Sequence, residues 1–312
     1  MALSPEQAID TLNEAFGRHA GHRALHARGV VLSGAFTPTA EAPSLTRAAH
    51  MTGPEVPVTV RFSNGSGNPA HPDWAPDPRG LAVKFYLPDG SRTDIVAVSS
   101  PRFPTRTPAA FVELVKAQAS RPAAAWKMPL FLAQHPETIR ALPVVAPTLL
   151  APVSYATIPY YGLHAFKWID AEGGERHVRY KLRPAAKEAR LAPWQARRRG
   201  AEYLGREILE RAAAEPILFS LEIQIAEAGD PLDDPSAAWP KERPRVTVGA
   251  LKIIEPDSER ERGNDVLVFD PSRVSDGIEC SDDPVLRFRP RAYSESIRRR
   301  AGVTADKRPA DG

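Results

Sequence analysis

A tyrosine and an arginine late in the sequence are spaced so that one could hold the other as an anion. The stretch VLRFRPRAYSESIRRR (285–300) contains six arginines and one tyrosine, Tyr293, and it predicts one helix with Pro290 in the first turn. Arg289 precedes Tyr293 by four residues, so a helix would bring both side chains to one face. A fixed positive charge beside a phenol favours its ionised form, which few tyrosines adopt. The alternative is a solvated basic helix in which Tyr293 only packs.

Three other groups of residues could carry chemistry, and each has a structural alternative. His26 lies in HARG at the start of a predicted strand, where a histidine is usually structural unless partners converge on it. Cys280 could bind iron as a thiolate, although a lone cysteine is more often a small buried apolar residue. The glycine-rich FSNGSGNP (62–69) lacks the lysine of a phosphate-binding loop, and the eight histidines include no pair at zinc spacing.

Composition restricts the class of protein. The chain has 312 residues, of which 42% are hydrophobic and 25% charged, as in soluble globular proteins. A net charge of +3 without a binding motif gives no support to a nucleic-acid partner. One cysteine excludes a disulfide framework and indicates a reducing, cytoplasmic location. The N-terminal stretch lacks signal-peptide features and no apolar run reaches membrane-spanning length, so no membrane partner is expected.

Segments of period two dominate the chain and predict about eight antiparallel strands. They lie at 27–36, 58–65, 80–87, 93–99, 163–170, 176–184, 217–227 and 245–255. Eight alternating strands can close without exposed edges, so we expect an α+β fold with a closed antiparallel eight-stranded β-barrel and added helices. Helical patterns occur near the N-terminus and at 107–119, 123–137, 195–213 and 289–301. Without a repeat or a linker, residues 1–312 are expected to form one domain, with a frayed end at 304–312.

Several segments, in order along the chain, resemble the catalase family. The most specific are RALHARG (23–29), VRFSNGSGNPAHPDWAPDPRGLAVKFYLPDG (60–90), YYGLHAFKWID (160–170) and FDPSRVSDGIECSDDPVLRFRPRAYSES (269–296). The resemblance spans nearly the whole chain and is greatest to the small catalase-related haem peroxidases. It implies haem b (iron protoporphyrin IX) as the cofactor and a catalase-like haem-binding domain.

The resemblance also implies roles for residues on the proximal side of the haem. Tyr293 matches the axial ligand of the iron, and Arg289 matches the cation beside it. His164 matches the histidine that supports this arginine, and Asp283 matches the acidic end of the same chain of contacts. An arginine beside Tyr293 would then have a role, because a phenol must be ionised to bind ferric iron.

On the distal side, His26 matches the catalytic histidine and Ser63 the hydroxyl that orients its ring. The remaining matches are Arg23 and Arg61 for the haem propionates, Phe111 and Phe103 near the haem edge, and Asp77 in a channel. One position departs from the family pattern, because Val98 stands where the family has a distal asparagine, and valine offers no hydrogen bond. The chain is also shorter than typical catalases, which argues against their tetramer and leaves a homodimer as the candidate assembly.

The resemblance therefore implies a haem peroxidase that reduces hydrogen peroxide or organic hydroperoxides with an organic donor. Weak or no catalase activity is expected because Val98 replaces the polar residue. A true catalase or an enzyme that rearranges lipid hydroperoxides remains an alternative on the same scaffold. Outside the enzymes, the alternatives are a haem carrier or sensor, or a binding barrel without haem.

Overall fold

The protein is described by a computed structural model over residues 3–120, 123–257 and 267–300. Its strands are β1 (Gly29–Pro38), β2 (Val56–Asn64), β3 (Arg79–Tyr86), β4 (Arg92–Val98), β5 (Tyr160–Tyr161), β6 (Phe166–Ile169), β7 (Glu175–Pro184), β8 (Ile217–Ile225), β9 (Arg245–Pro256) and β10 (Ile278–Cys280). Its α-helices are α1 (Pro5–Phe16), α2 (Ala49–Thr52), α3 (Pro108–Ala119), α4 (Ala124–Gln134), α5 (Pro136–Val145), α6 (Pro193–Arg199), α7 (Tyr203–Ala214) and α8 (Pro284–Arg300).

Side-chain alternation along the strands separates an apolar interior from a polar outer face. In β2, Val58 and Phe62 belong to the main hydrophobic core, whereas Arg61 and Ser63 point to the opposite side. The same core takes alternate residues from the other long strands, so the interior of the sheet is filled with apolar side chains. The polar outer face of β2 is therefore available to build a site.

The strands close into a barrel, as the sequence predicts. The order β4-β3-β2-β1-β9-β8-β7-β5 returns to β4, and every one of these pairs is antiparallel. The seam is narrow, because β5 has two residues and contacts β4 through one pair, Val98 and Tyr161. The prediction of a closed eight-stranded barrel is confirmed.

One predicted strand has a different place from the one expected. The segment 163–170 forms β6, which pairs with the first half of β7 and with β10, outside the closed ring. The eighth barrel strand is β5, which pairs with the second half of β7. The edge of β7 is thus shared by two short strands. A strand of two residues has no period to read, which is why the sequence did not reveal it.

The last helix begins earlier than its sequence suggests. The prediction placed Pro290 in the first turn, but α8 begins at Pro284 and Pro290 lies inside it. The cause is Asp283, whose carboxylate accepts hydrogen bonds from the N–H groups of Val285 and Leu286 and so caps the helix six residues before Arg289. Pro290 then removes one internal hydrogen bond. The frayed end predicted for 304–312 lies outside the described residues.

Helices α1, α3 and α8 pack against one another. Ile9 and Leu12 of α1 form an apolar cluster with Val115 of α3, and Leu25 and Phe111 pack on it. Leu25, which packs on this cluster, directly precedes His26 in the chain. The cluster joins the N-terminal helix to the helix that carries Phe111. In the described part of the chain, every helix is too short or too polar to cross a membrane.

Candidate active site

His26 and Ser63 form a hydrogen-bonded pair on the outer face of the barrel. The Nδ1 atom of His26 lies 3.0 Å from the Oγ atom of Ser63. The backbone of His26 has a φ of 54°, the only positive φ at a non-glycine among the described residues. Its N–H donates to the carbonyl of Gly65, and its own carbonyl accepts from the Arg61 guanidinium at 3.0 Å. These contacts hold a left-handed conformation that costs free energy in a residue with a side chain, which is typical of functional positions.

Two glycines make room for this pair. Ser63 faces Gly29 across one strand pair and Gly80 across the other, and Gly80 in turn faces Val98. A Cβ atom on Gly80 would lie 2.6 Å from the Ser63 Oγ atom and 2.8 Å from the His26 Nδ1 atom. A Cβ atom on Gly29 would lie 2.5 Å from the Cζ atom of Arg61. Neither glycine is among the residues predicted for the site, although glycine inside a strand signals a close approach.

We expect Gly80→Ala to slow the reaction of the protein with hydroperoxide by about tenfold or more. The methyl group would displace the imidazole from Ser63, and the loss of one hydrogen bond and of alignment both slow a positioned reaction. Gly205→Ala is the matched control, because its Cβ atom would meet only a Val30 methyl group at an ordinary 3.5 Å. Equal rates in the two variants would show that the ring position does not matter.

Burial and positive charge keep the His26 imidazole neutral. Burial and then, in decreasing order, the nearby guanidinium groups of Arg61, Arg289 and Arg23 together lower its pKa to about 3. A neutral imidazole can accept a proton. Arg289 belongs to α8 and Arg61 to β2, so the positive charges near His26 come from both the last helix and the barrel.

The tyrosine and arginine of α8 are in contact, as the helical spacing predicts. The Nη1 atom of Arg289 donates to the Tyr293 hydroxyl oxygen at 3.2 Å. Both side chains are half-buried. A guanidinium is charged at all relevant pH values, so the phenol oxygen has a permanent positive neighbour. The arrangement places a cationic hydrogen-bond donor on an oxygen that could bind a metal.

A buried histidine and carboxylate lie behind this pair. The Nδ1 atom of His164 lies 2.5 Å from the Oδ2 atom of Asp283, and both side chains are almost fully buried. Burial and the charge of Arg289 lower the pKa of His164 to about 4, so the ring is neutral and donates Nδ1–H to the carboxylate. Its Nε2 atom is buried and has no hydrogen-bond partner in the described chain, which leaves a free acceptor. Asp283 therefore caps α8 and holds His164 with one carboxylate.

The other residues named from the sequence lie at varied positions. Phe103 and Phe111 pack with ring centroids 5.1 Å apart. The Arg23 guanidinium donates to the carbonyl of Leu267 at 2.6 Å. Asp77 is buried beside Arg79, and burial raises its pKa while the arginine opposes this.

Cys280 fits the role of a small apolar packing residue better than that of an iron-binding thiolate. It lies on β10 and packs against the main core. Burial raises the pKa of its thiol, and its Sγ atom lies 3.8 Å from the carbonyl oxygen of Ser272. A raised pKa disfavours the thiolate that iron binding would need.

Comparison with known proteins identifies the family. The family model described as Catalase matches residues 1–311. The chain belongs to the catalase family. It is 46% identical to a catalase-related peroxidase of Mycolicibacterium paratuberculosis, with 96% of each chain covered. It is 32% identical to a catalase-related peroxidase of Synechococcus elongatus, with 96% of this chain and 89% of the relative covered.

Longer members of the catalase family match over the same core. A catalase of Latilactobacillus sakei is 26% identical, and the match covers 93% of this chain but 64% of that protein. The crystal structure of a fungal catalase superposes with a TM-score of 0.79 at 25% identity, covering 91% of this chain and 60% of that one. The barrel and its helices thus have the catalase fold, and the chain spans 64% and 60% of the length of these two longer proteins.

Proposed function

We propose that this protein is a haem-dependent peroxidase that reduces hydrogen peroxide or organic hydroperoxides with electrons from an organic donor. The observation that carries the proposal is that two hydrogen-bonded pairs of side chains lie near each other. His26 with Ser63 lies on the barrel, and Tyr293 with Arg289 lies on α8, close enough for the Arg289 charge to act on His26. The two relatives that match along nearly their full length are peroxidases by name, which supports the same activity here.

The residues present fit an iron porphyrin. Tyr293 offers an anionic oxygen ligand, and the buried, unpartnered Nε2 atom of His164 offers an acceptor behind Arg289. Arg23 and Arg61 would pair with the propionates. We propose haem b in particular, because a chain with one cysteine cannot form the two thioether links of a c-type haem. When bound, the haem supplies the two-electron redox chemistry that splits the peroxide O–O bond.

The protein's own part on the distal side is a proton transfer. His26 would accept the hydroperoxide proton and return it to the oxygen that leaves, acting first as a base and then as an acid. Because Nδ1 of His26 faces Ser63, the Nε2 atom is the one left for this transfer. The donor then provides two electrons, so that one hydroperoxide yields one alcohol and one water when two further protons are taken up.

On the proximal side, the residues would keep the ligand charged and fixed. Arg289 would stabilise the phenolate of Tyr293, and the unpartnered Nε2 atom of His164 would be available to accept a hydrogen bond from Arg289. Asp283 would fix the tautomer of His164. The cap that Asp283 provides also fixes the start of α8 and hence the direction of both ligand-side residues. We place this enzyme in the cytoplasm, as one haem-binding domain over residues 1–312, with a homodimer as the candidate assembly.

The position of Val98 favours peroxidase over catalase chemistry. Val98 is directly opposite Gly80, the glycine that contacts the His26–Ser63 pair, so it lies on the same face as these residues. A catalase must hold a second peroxide while that molecule gives up electrons and protons, and a polar partner helps to hold it. Valine offers none.

We expect the purified protein to oxidise organic donors readily and to evolve little oxygen from hydrogen peroxide. A dye-oxidation assay and an oxygen electrode on one preparation measure both activities. Val98→Asn should raise the ratio of oxygen evolution to donor oxidation by about three- to tenfold, the effect of one hydrogen bond made in the transition state. Val96→Asn, two residues earlier on the same strand face, is the control. Oxygen evolution far above donor oxidation in the unaltered protein would identify a catalase instead.

A further inference from the structure

Six of the ten large apolar side chains that are exposed in the described chain belong to one segment. They are Trp126, Leu130, Ile139, Leu142, Val144 and Leu150, on α4, α5 and the short turn after α5. We call them the 126–150 surface. Trp126 is 60% exposed and Leu130 is 51% exposed, which is far from the behaviour of core residues. Apolar patches of this kind mark interaction sites.

The exposed side of α4 is distinct from the side that packs in the protein. Phe131 of α4 is buried against Leu114 and Ala117 of α3. Trp126 and Leu130 are four residues apart and so share the opposite, outward face. The helix therefore has an apolar face on each side, and the described part of the chain covers only one of them.

The charge balance of this region is positive. The described residues between 99 and 150 include five basic and two acidic side chains, and one of the five, Arg106, pairs with Asp233 and Asp234, which leaves a balance of +2. Lys116 and Lys127 line a shallow groove together with Glu113, Leu130 and Phe131. Arg140 is exposed between Ile139 and Leu142. Positive charges thus lie beside the exposed apolar side chains of the 126–150 surface.

We propose that the 126–150 surface docks on the headgroup region of an anionic phospholipid bilayer. Trp126 and the leucines would enter the interface while the lysines and Arg140 contact the headgroups. A second copy of the chain is disfavoured, because a two-fold dimer would bring the same positive surface against itself. The lack of a membrane-spanning apolar run in the sequence predicted no membrane partner, but peripheral docking does not require such a run.

The surface is attached to residues beside the site. Thr138 of α5 donates to the carbonyl of Pro104, and Arg102 donates to the carbonyl of Arg140, so α5 rests on the loop that carries Phe103. At the other end, the carbonyl of Leu149 accepts from the N–H of Asp77. If the protein is a peroxidase, as proposed above, hydroperoxides formed on the acyl chains of that bilayer are the substrates this docking would bring to it.

Vesicle co-sedimentation of the full chain tests the docking itself. We expect binding to phosphatidylcholine vesicles that contain phosphatidylglycerol, weaker binding to phosphatidylcholine alone, and loss of binding at high salt. Trp126→Ser combined with Leu142→Ser should lower the partition coefficient at least about tenfold. Trp194→Ser is the matched control, because Trp194 is 58% exposed and also has a cation beside its ring.

The outcomes separate this inference from its rivals and from the proposed function. Binding that is absent, or that falls equally in the Trp194 control, overturns the docking. A dimer in sedimentation velocity that the Trp126 and Leu142 changes dissociate would assign the surface to a second copy instead. In the double variant, turnover of a phospholipid hydroperoxide in vesicles should fall about tenfold while turnover of water-soluble tert-butyl hydroperoxide is unchanged. If the unaltered protein turned over neither hydroperoxide, that result would count against the peroxidase proposal, not against the docking.

Discussion

His26→Ala is expected to retain haem and to react with hydroperoxide about 10²–10⁴-fold more slowly than the unaltered protein. The imidazole is the group that the barrel holds on the site, with Nδ1 fixed by Ser63 and the other nitrogen left for proton transfer. Stopped-flow measurement of the haem absorbance at low peroxide gives the rate. A loss smaller than about tenfold would reduce His26 to a structural residue.

Two further variants make this test specific. His26→Asn removes the imidazole but suits the left-handed backbone at this position, so it separates lost proton transfer from backbone strain. His177→Ala, on β7, removes a histidine without a role in the site and should not change the rate. The pH profile is a further check, because a base with a pKa of about 3 stays neutral as the pH falls from about 8 to about 5, so the rate should not decline over that range.

Tyr293→Phe is expected to abolish firm haem binding or to change the axial ligand. The substitution removes the oxygen that lies 3.2 Å from Arg289 Nη1 and leaves a ring of nearly the same shape, so the fold should be kept. The optical spectrum of the purified variant, with its haem content per chain, measures the effect. An unchanged ferric spectrum at full haem content would refute the ligand assignment.

The matched control for the ligand is Cys280→Ser, which removes the other side chain considered for iron. Cys280 packs against the core from β10, and burial raises the pKa of its thiol, so its loss should leave the spectrum intact. Disappearance of the Soret band in this variant would instead assign the iron to the thiolate. Together the two variants distinguish a phenolate from a thiolate ligand without any activity measurement.

The long strands could be predicted from the sequence because each presents a regular alternation. β2 and β3 repeat apolar residues at every second position, and the structure confirms the meander that this predicts. The barrel seam could not be predicted, since β5 has only two residues, which pair once with β4 and twice with β7 and show no pattern in the sequence. The predicted start of α8 is wrong, because the carboxylate of Asp283 caps the helix at Pro284, and the preference of Pro290 for a first turn does not decide where the helix begins.

Most candidate residues could be identified from the resemblance to the catalase family, whereas their arrangement in space could be seen only in the fold. Spacing alone predicted the contact between Arg289 and Tyr293, because a helix relates residues four apart. No local signal indicates that His26 adopts a positive φ or that Gly80 leaves space for its ring. The 126–150 surface could not be predicted either, because an apolar stretch in a helix predicts burial, and the sequence does not show whether another element covers that stretch.

The site is assembled from both ends of the chain. His26 follows α1, Tyr293 lies on α8, and Arg299 of α8 forms an ion pair with Asp10 of α1 at 2.7 Å. A haem held as proposed would act as a cross-link that closes a loop of most of the polypeptide, as a disulfide does. Cofactor loading must then wait until Tyr293 has been synthesised and the barrel has formed. Cofactor supply would therefore set the heat resistance of the protein, because ligand that binds only the folded form adds its binding free energy to stability.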